Sequence, residues 1–260
     1  MSALIVDNGL IHYEALGRGK PVLFLHGWIG SWRYWMPTME AVSDRFRTYA
    51  FDMWGFGDSD KSPQRYEIDS YVSLIGAFMD DLGLVDAPLV GHALGAVAAL
   101  FFAVRMPDRV SKLMLVSLPL QGSSISRKLY TGSDNVLDRS IGRRQAQQAY
   151  PEVAQEADKA DGSAVTLSIR ALVNLNLAPE LEKISQPLLI VHGEKDTLVT
   201  PPSLDTISDL EDTARQISLK DSLHFPMLDE ATKFQRLLRD FLEGGLDSIE
   251  LRDEWKRRTR

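Results

Sequence analysis

The chain has 260 residues, 44% of them hydrophobic and 25% charged, the balance of a folded globular chain rather than a disordered or membrane-embedded one. Its formal net charge of -7 disfavours a broad phosphate-binding surface, because polyanion binding depends on Lys and Arg displacing counterions, so no nucleic-acid partner is expected. With Cys 0, disulfides, thiol nucleophiles and thiolate metal sites are excluded; no leader-like or membrane-length apolar run occurs, and a cytoplasmic protein with no membrane partner is the expectation.

In chain order, short β-rich runs bounded by Gly, Pro or charged residues predict strands over residues 10–16, 21–26, 48–52, 87–90, 112–117, 187–191 and 215–219. The first is expected in a hairpin closed by Gly17-Arg18-Gly19-Lys20. The runs are apolar enough to be covered on both faces and alternate with helical patterns, the signature of a largely parallel sheet. Ile68, Tyr71, Val72, Ile75, Phe78, Met79 and Leu82 recur at three- and four-residue spacing and predict a helix packed on that sheet. Phe234, Leu237, Leu238, Phe241 and Leu242 predict another, stopped by Gly244-Gly245. The basic stretch 248–260 reads as a solvated terminal helix or frayed end.

Residues 120–186 break the alternation with helical segments over 142–159 and 163–177, and are expected to form a helical cap subdomain after the sixth strand. Residues 1–119 and 187–260 would then form one core domain. No internal repeat or linker argues for a second independent unit, and oligomeric state leaves no mark in the sequence.

The segment Pro88-Leu89-Val90-Gly91-His92-Ala93-Leu94-Gly95-Ala96 turns from an apolar strand into the helix 96–105. So tight a turn needs glycines on both sides of its central residue, and it matches a G-x-S-x-G nucleophile elbow except at the serine. His26-Gly27-Trp28 closes one strand, Gly193-Glu194-Lys195-Asp196 another, and His224 lies in Ser222-Leu223-His224-Phe225-Pro226 after the last. Asp52-Met53-Trp54-Gly55-Phe56-Gly57-Asp58-Ser59 follows a further strand. In this order the segments resemble the α/β-hydrolase family over the whole chain, with Trp54 where Pro is frequent.

The resemblance implies a mostly parallel central sheet flanked by helices, with Ala93 in the nucleophile's place, His224 as general base and Asp196 as its orienting carboxylate. It further implies an oxyanion hole made by the backbone N–H groups of Trp28 and Leu94, donors that do not depend on a serine. Trp28, Ala93, Leu94 and Phe225 would line the substrate site. Ser117-Leu118-Pro119 offers no carboxylate at the position some relatives use, which leaves Asp196 as the acid; it could also cap the turn that follows it.

A methyl group cannot attack a carbonyl, so Ala93 rules out an acyl-enzyme. Loss of a triad serine costs about 10⁶-fold in turnover, while roughly 10³–10⁴ over water survives from the oxyanion hole and binding. Three readings stay open. In the first, His224 and Asp196 activate water directly against a small ester, amide or carbamate-like substrate; some members of the superfamily carry a similar Gly-His-Ala-Leu-Gly elbow. The second is an inactive Ser-to-Ala form of a serine esterase, and the third a non-catalytic ligand-binding protein.

His26 and His192, each ending a strand beside Gly, are expected to satisfy local backbone groups. His92 is expected to point away from the cavity, and His12 is a lone strand histidine. No paired metal-ligand spacing occurs, no cofactor is implied, and Gly17-x-Gly19 and Gly55-x-Gly57 read as turns rather than phosphate loops. Trp28, Trp32, Tyr34, Trp35, Trp54, Phe56 and Phe225 cluster near strand ends and suggest an apolar or aromatic acyl pocket.

Overall fold

The computed structural model describes residues 2–131, 135–202, 210 and 213–251. β1 (Ser2–Val6) and β2 (Gly9–Leu16) form an antiparallel hairpin, closed at Asp7 and Asn8 with φ of 48° and 62°. Asn and Asp are the non-glycine residues that best tolerate such angles. β3 (Lys20–Leu25) leads through α1 (Met36–Val42) to β4 (Phe46–Phe51), and α2 (Ile68–Asp81) leads to β5 (Ala87–His92). After α3 (Leu94–Arg105) and β6 (Val110–Val116) come five short helices: α4 (Val136–Ser140), α5 (Arg143–Ala149), α6 (Pro151–Ala157), α7 (Gly162–Leu172) and α8 (Ala178–Leu181). β7 (Leu188–Gly193), β8 (Ala214–Leu219), α9 (Pro226–Asp229) and α10 (Ala231–Leu251) complete the described chain.

The eight strands form one sheet in the order β1-β2-β4-β3-β5-β6-β7-β8, parallel from β4 to β8 with β1 and β2 antiparallel at one edge. The expected closure of β2 onto β3 through Gly17–Lys20 does not occur. β4 pairs with β2 on one side and β3 on the other, so that turn is a crossover and the hairpin partner is β1. All six residues of β7 are buried, and so are Val22 to Leu25 of β3, because helices cover both faces. The Phe78 ring of α2 lies 4.4 Å from that of Phe51 in β4, joining the helix to the sheet.

α10 does not end at Gly244-Gly245. Gly245 adopts φ 64°, ψ -150° and breaks the helix, but helical turns resume to Leu251. The expected segment 142–159 is divided at Tyr150 because Pro151 starts a new helix, and 163–177 stops being helical after Leu172. Residues 252–260 of the basic tail lie outside the described residues.

The strand order places the chain's change of direction beside β3: β4 is added on one flank and β5 on the other. In such sheets the crevice outside the carboxyl ends of the strands is where ligands bind. The loops after β3, β5, β7 and β8 carry Trp28, Ala93, Asp196 and His224 respectively.

Candidate active site

The turn after β5 is held by backbone geometry. Ala93 has φ 48° and ψ -108°, a conformation L-residues rarely adopt, and its N–H donates to the Val116 carbonyl at 2.9 Å. A Cβ at Gly91 would collide with the backbone of Gly95, and one at Gly95 with the Leu25 carbonyl, so both positions require glycine. Gly27 faces the same turn: a Cβ there would meet the Ala93 methyl at 2.9 Å. The sequence therefore brings the loops after β3 and β5 into contact. The Trp28 indole donates to Ser168 Oγ of α7 at 3.0 Å, tying the first loop to that helix. Among the described residues the backbone N–H groups of Trp28 and Leu94 have no internal acceptor.

Asp196 and His224 meet at 2.9 Å between Oδ2 and Nδ1, both buried. The other oxygen, Oδ1, accepts from the N–H groups of Leu198 and Val199 at 2.8 and 3.0 Å, so Asp196 also caps the turn it opens. Burial by itself would raise this carboxyl, but the charge and hydrogen bond of His224, with those two N–H groups, hold it at about 2. An ionised Asp196 makes Nδ1 of His224 the donor. Nε2 is then the ring's acceptor when neutral, and it is buried with no partner among the described residues.

His92, which is not in the lining of the cavity beside His224, bonds within the framework behind the site. Its Nε2 donates to the His224 carbonyl at 2.8 Å, and its ring centroid lies 4.7 Å from that of His224. Nδ1 therefore accepts from Tyr34 Oη at 2.8 Å, and Tyr34 Oη accepts the Gly27 N–H at 2.6 Å. Burial, reinforced by neighbouring His224, pushes the His92 pKa well below its ordinary value and keeps the ring neutral. This chain links the loop bearing Trp28 to the loop bearing His224. Sequence reading missed it because Tyr34 looks like one more core aromatic.

Phe225 is fully buried, 5.2 Å from the His224 ring and 5.0 Å from that of Tyr150. Tyr150 donates to Asp229 Oδ1 at 2.6 Å, while Asp229 Oδ2 accepts the Leu223 N–H at 2.7 Å, so the residue between α5 and α6 braces the His224 loop. A cavity of about 300 Å³ opens on His224, Phe225, Leu198 and Tyr150, with Lys128 and Gln145 also in its wall. Of the residues expected to line a substrate site, Phe225 is in this wall and Trp28, Ala93 and Leu94 are not, and the wall mixes polar and apolar side chains.

The other histidines diverge. His26 satisfies backbone groups as expected, pairing Nδ1 with the Gly27 carbonyl at 2.8 Å and accepting the Met53 N–H at 2.9 Å. His192 does not: both ring nitrogens are buried without partners among the described residues. His12 pairs with Asp52 at 3.1 Å. His12, Asp52 and Asp58 are close enough to hold an ion, but Asp52 already accepts the N–H groups of Trp32 and Asp58, and Asp58 pairs with Lys159 at 2.9 Å. That hydrogen bonding describes a braced turn.

No helix among the described residues is long and apolar enough to cross a membrane. A pimeloyl-[acyl-carrier protein] methyl ester esterase of Vibrio campbellii is 26% identical over 89% of this chain and 98% of its own length. A 2-(acetamidomethylene)succinate hydrolase of Mesorhizobium japonicum is 28% identical over 79% of this chain and 82% of its own. A solved hydrolase of Pseudomonas aeruginosa superposes with a TM-score of 0.79 at 18% identity, covering 94% of this chain and 98% of that one, which speaks to fold alone. The hydrolase names of these sequence relatives support hydrolase activity here. The family model for the alpha/beta hydrolase fold matches residues 20–173, which span β3 to β6 and the elbow turn, and the chain belongs to that family.

Proposed function

We propose that this protein hydrolyses a small carbonyl compound by direct attack of water. In this reading the substrate sits between the sheet and residues 120–186, which act as a cap over a core of 1–119 and 187–260. The water rests beside the Ala93 methyl, where a side-chain oxygen would otherwise stand. His224 Nε2 takes a proton from it as its oxygen bonds to the carbonyl carbon. The Trp28 and Leu94 N–H groups receive the charge that develops on the carbonyl oxygen. When the tetrahedral species collapses, the bond to the leaving alkoxide or amine breaks and the proton passes from His224 to that group. Asp196 fixes the tautomer that leaves Nε2 free to accept.

One observation supports the reading above the rest: the His224 imidazole is anchored to Asp196 through Nδ1 at 2.9 Å while its other nitrogen is buried and has no partner among the described residues. A ligand-binding scaffold has no evident use for a base with its orienter intact. The absence of Cys, and of a membrane-spanning helix among the described residues, is compatible with a cytoplasmic setting. The test is hydrolysis of short esters and amides by the natural sequence and by His224→Ala. Turnover should vanish in the variant, and unchanged turnover would overturn the mechanism. Ala93→Ser, treated with a serine-reactive phosphonate, should gain covalent labelling if the surrounding site is competent.

A further inference from the structure

We infer that the cavity beside His224 takes a substrate bearing a carboxylate, whose charge is held by Lys128 at the rim while its carbonyl faces His224. The inference rests on reading this cavity as the substrate site. Its volume, about 300 Å³, lies at the low end of the roughly 300–1,000 Å³ typical of ligand pockets, so the ligand is small. The inner wall is His224, Phe225 and Leu198. At the rim Lys128, Gln145 and Thr197 are exposed, and their side chains have no hydrogen-bond or ion-pair partner among the described residues.

The charge balance of the wall is one-sided. Lys128 contributes an ammonium, and no Asp or Glu lines the cavity among the described residues. The two carboxylates behind the wall are committed, Asp196 to His224, Leu198 and Val199, and Asp229 to Tyr150 and Leu223. Four other lysines among the described residues are ion-paired, Lys159 with Asp58 and Glu156, Lys183 with Glu180, Lys195 with Asp221 and Lys233 with Glu230, whereas Lys128 is one of those left without a carboxylate. An ammonium left without a counter-charge at the mouth of a cavity that no carboxylate lines attracts an anion and can donate charge-assisted hydrogen bonds to it. Gln145 and Thr197 supply further donors of the kind a carboxylate accepts. One cation suits a monoanionic group, and the buried acceptor Nε2 of His224 suits the uncharged, reacting end of the same molecule.

The test uses levulinate, a keto acid that cannot be hydrolysed, and methyl isoamyl ketone, its neutral analogue of similar shape. Calorimetric titration of the full chain should show levulinate binding more tightly. Lys128→Ala should weaken levulinate about tenfold, Lys128→Arg should retain most of the affinity, and neither should alter ketone binding. Raised salt should weaken levulinate alone. Equal affinity for the two ligands, or an equal loss of both in Lys128→Ala, would overturn the carboxylate site. Because no step requires turnover, Lys128-dependent binding without ester hydrolysis would count against the hydrolytic mechanism and leave this site standing.

Discussion

His192 offers an acid test of the packing behind the site. It lies in β7, fully buried, with both ring nitrogens unpartnered among the described residues. Burial lowers its pKa from 6.5 to about 4, against a smaller upward pull from Asp196. The native ring thus stays neutral over a range in which the unfolded chain takes up a proton. Its contribution is complete above about pH 6.5 and is lost as pH falls from there toward 4. At about 1.4 kcal/mol per unit the whole window is worth about 3 kcal/mol, and about 2 kcal/mol of it should be lost by pH ~5. That is a sizeable part of the ~5–15 kcal/mol that holds a typical domain folded. The assay is urea unfolding of the natural sequence and His192→Leu at about pH 7.5 and about pH 5, the comparison cancelling the buried histidines common to both. The variant should lose less stability between the two conditions. An identical loss in both proteins would refute a neutral, buried His192.

Two further outcomes follow from contacts already described. Gly57 has φ 49°, and a Cβ there would strike the Asp52 carboxylate that holds the Trp32 and Asp58 N–H groups; Gly57→Ala should cost about 3 kcal/mol or more in thermal unfolding, and an unchanged Tm would contradict the geometry. Tyr34→Phe removes the hydroxyl joining the Gly27 N–H to His92 Nδ1, so stability should fall by about 1–3 kcal/mol. If the coupled loops position the reacting groups, kcat should fall with KM nearly constant, and a normal kcat in a folded variant would break that link.

Strands from β2 onward were readable because each is a compact apolar run with turn residues at its ends. β1 was not: Ser2–Val6 sits at the sheet edge with Ile5 66% exposed, and an edge strand carries little of the two-sided burial that marks a central one. The Gly17–Lys20 error has a related cause, since adjacent strands in sequence need not be adjacent in a sheet whose β4 slots between them. At the site, the positions of Ala93, Asp196 and His224 could be expected because steric demands on a tight turn and the chain order of the loops are written locally. Tyr34, His92, Tyr150 and Asp229 could not, because their significance lies in partners many residues away across the fold. The mixed character of the cavity wall depends in the same way on where the fold places Ser140 of α4 and Gln145 of α5.

The elbow by itself does not distinguish a working enzyme from a retired one. Gly91 and Gly95 are demanded by backbone contacts, and a strained residue between them persists whether its side chain is Ser or Ala. Nor is an unpartnered buried imidazole sufficient, since His192 has two nitrogens without partners among the described residues and does not line the cavity beside His224. His224 differs in three linked respects. A carboxylate held near pKa 2 fixes its proton on Nδ1, its backbone carbonyl is fixed by His92, and its ring borders the cavity. Leaving a buried acceptor unsatisfied costs about 1–3 kcal/mol, which packing alone would remove by substitution with an apolar residue. For His192 that cost has no visible return, and His192→Leu should leave hydrolysis largely intact. For His224 the same free nitrogen is the group the proposed reaction needs, so the two substitutions should separate cleanly: one altering acid stability, the other abolishing turnover.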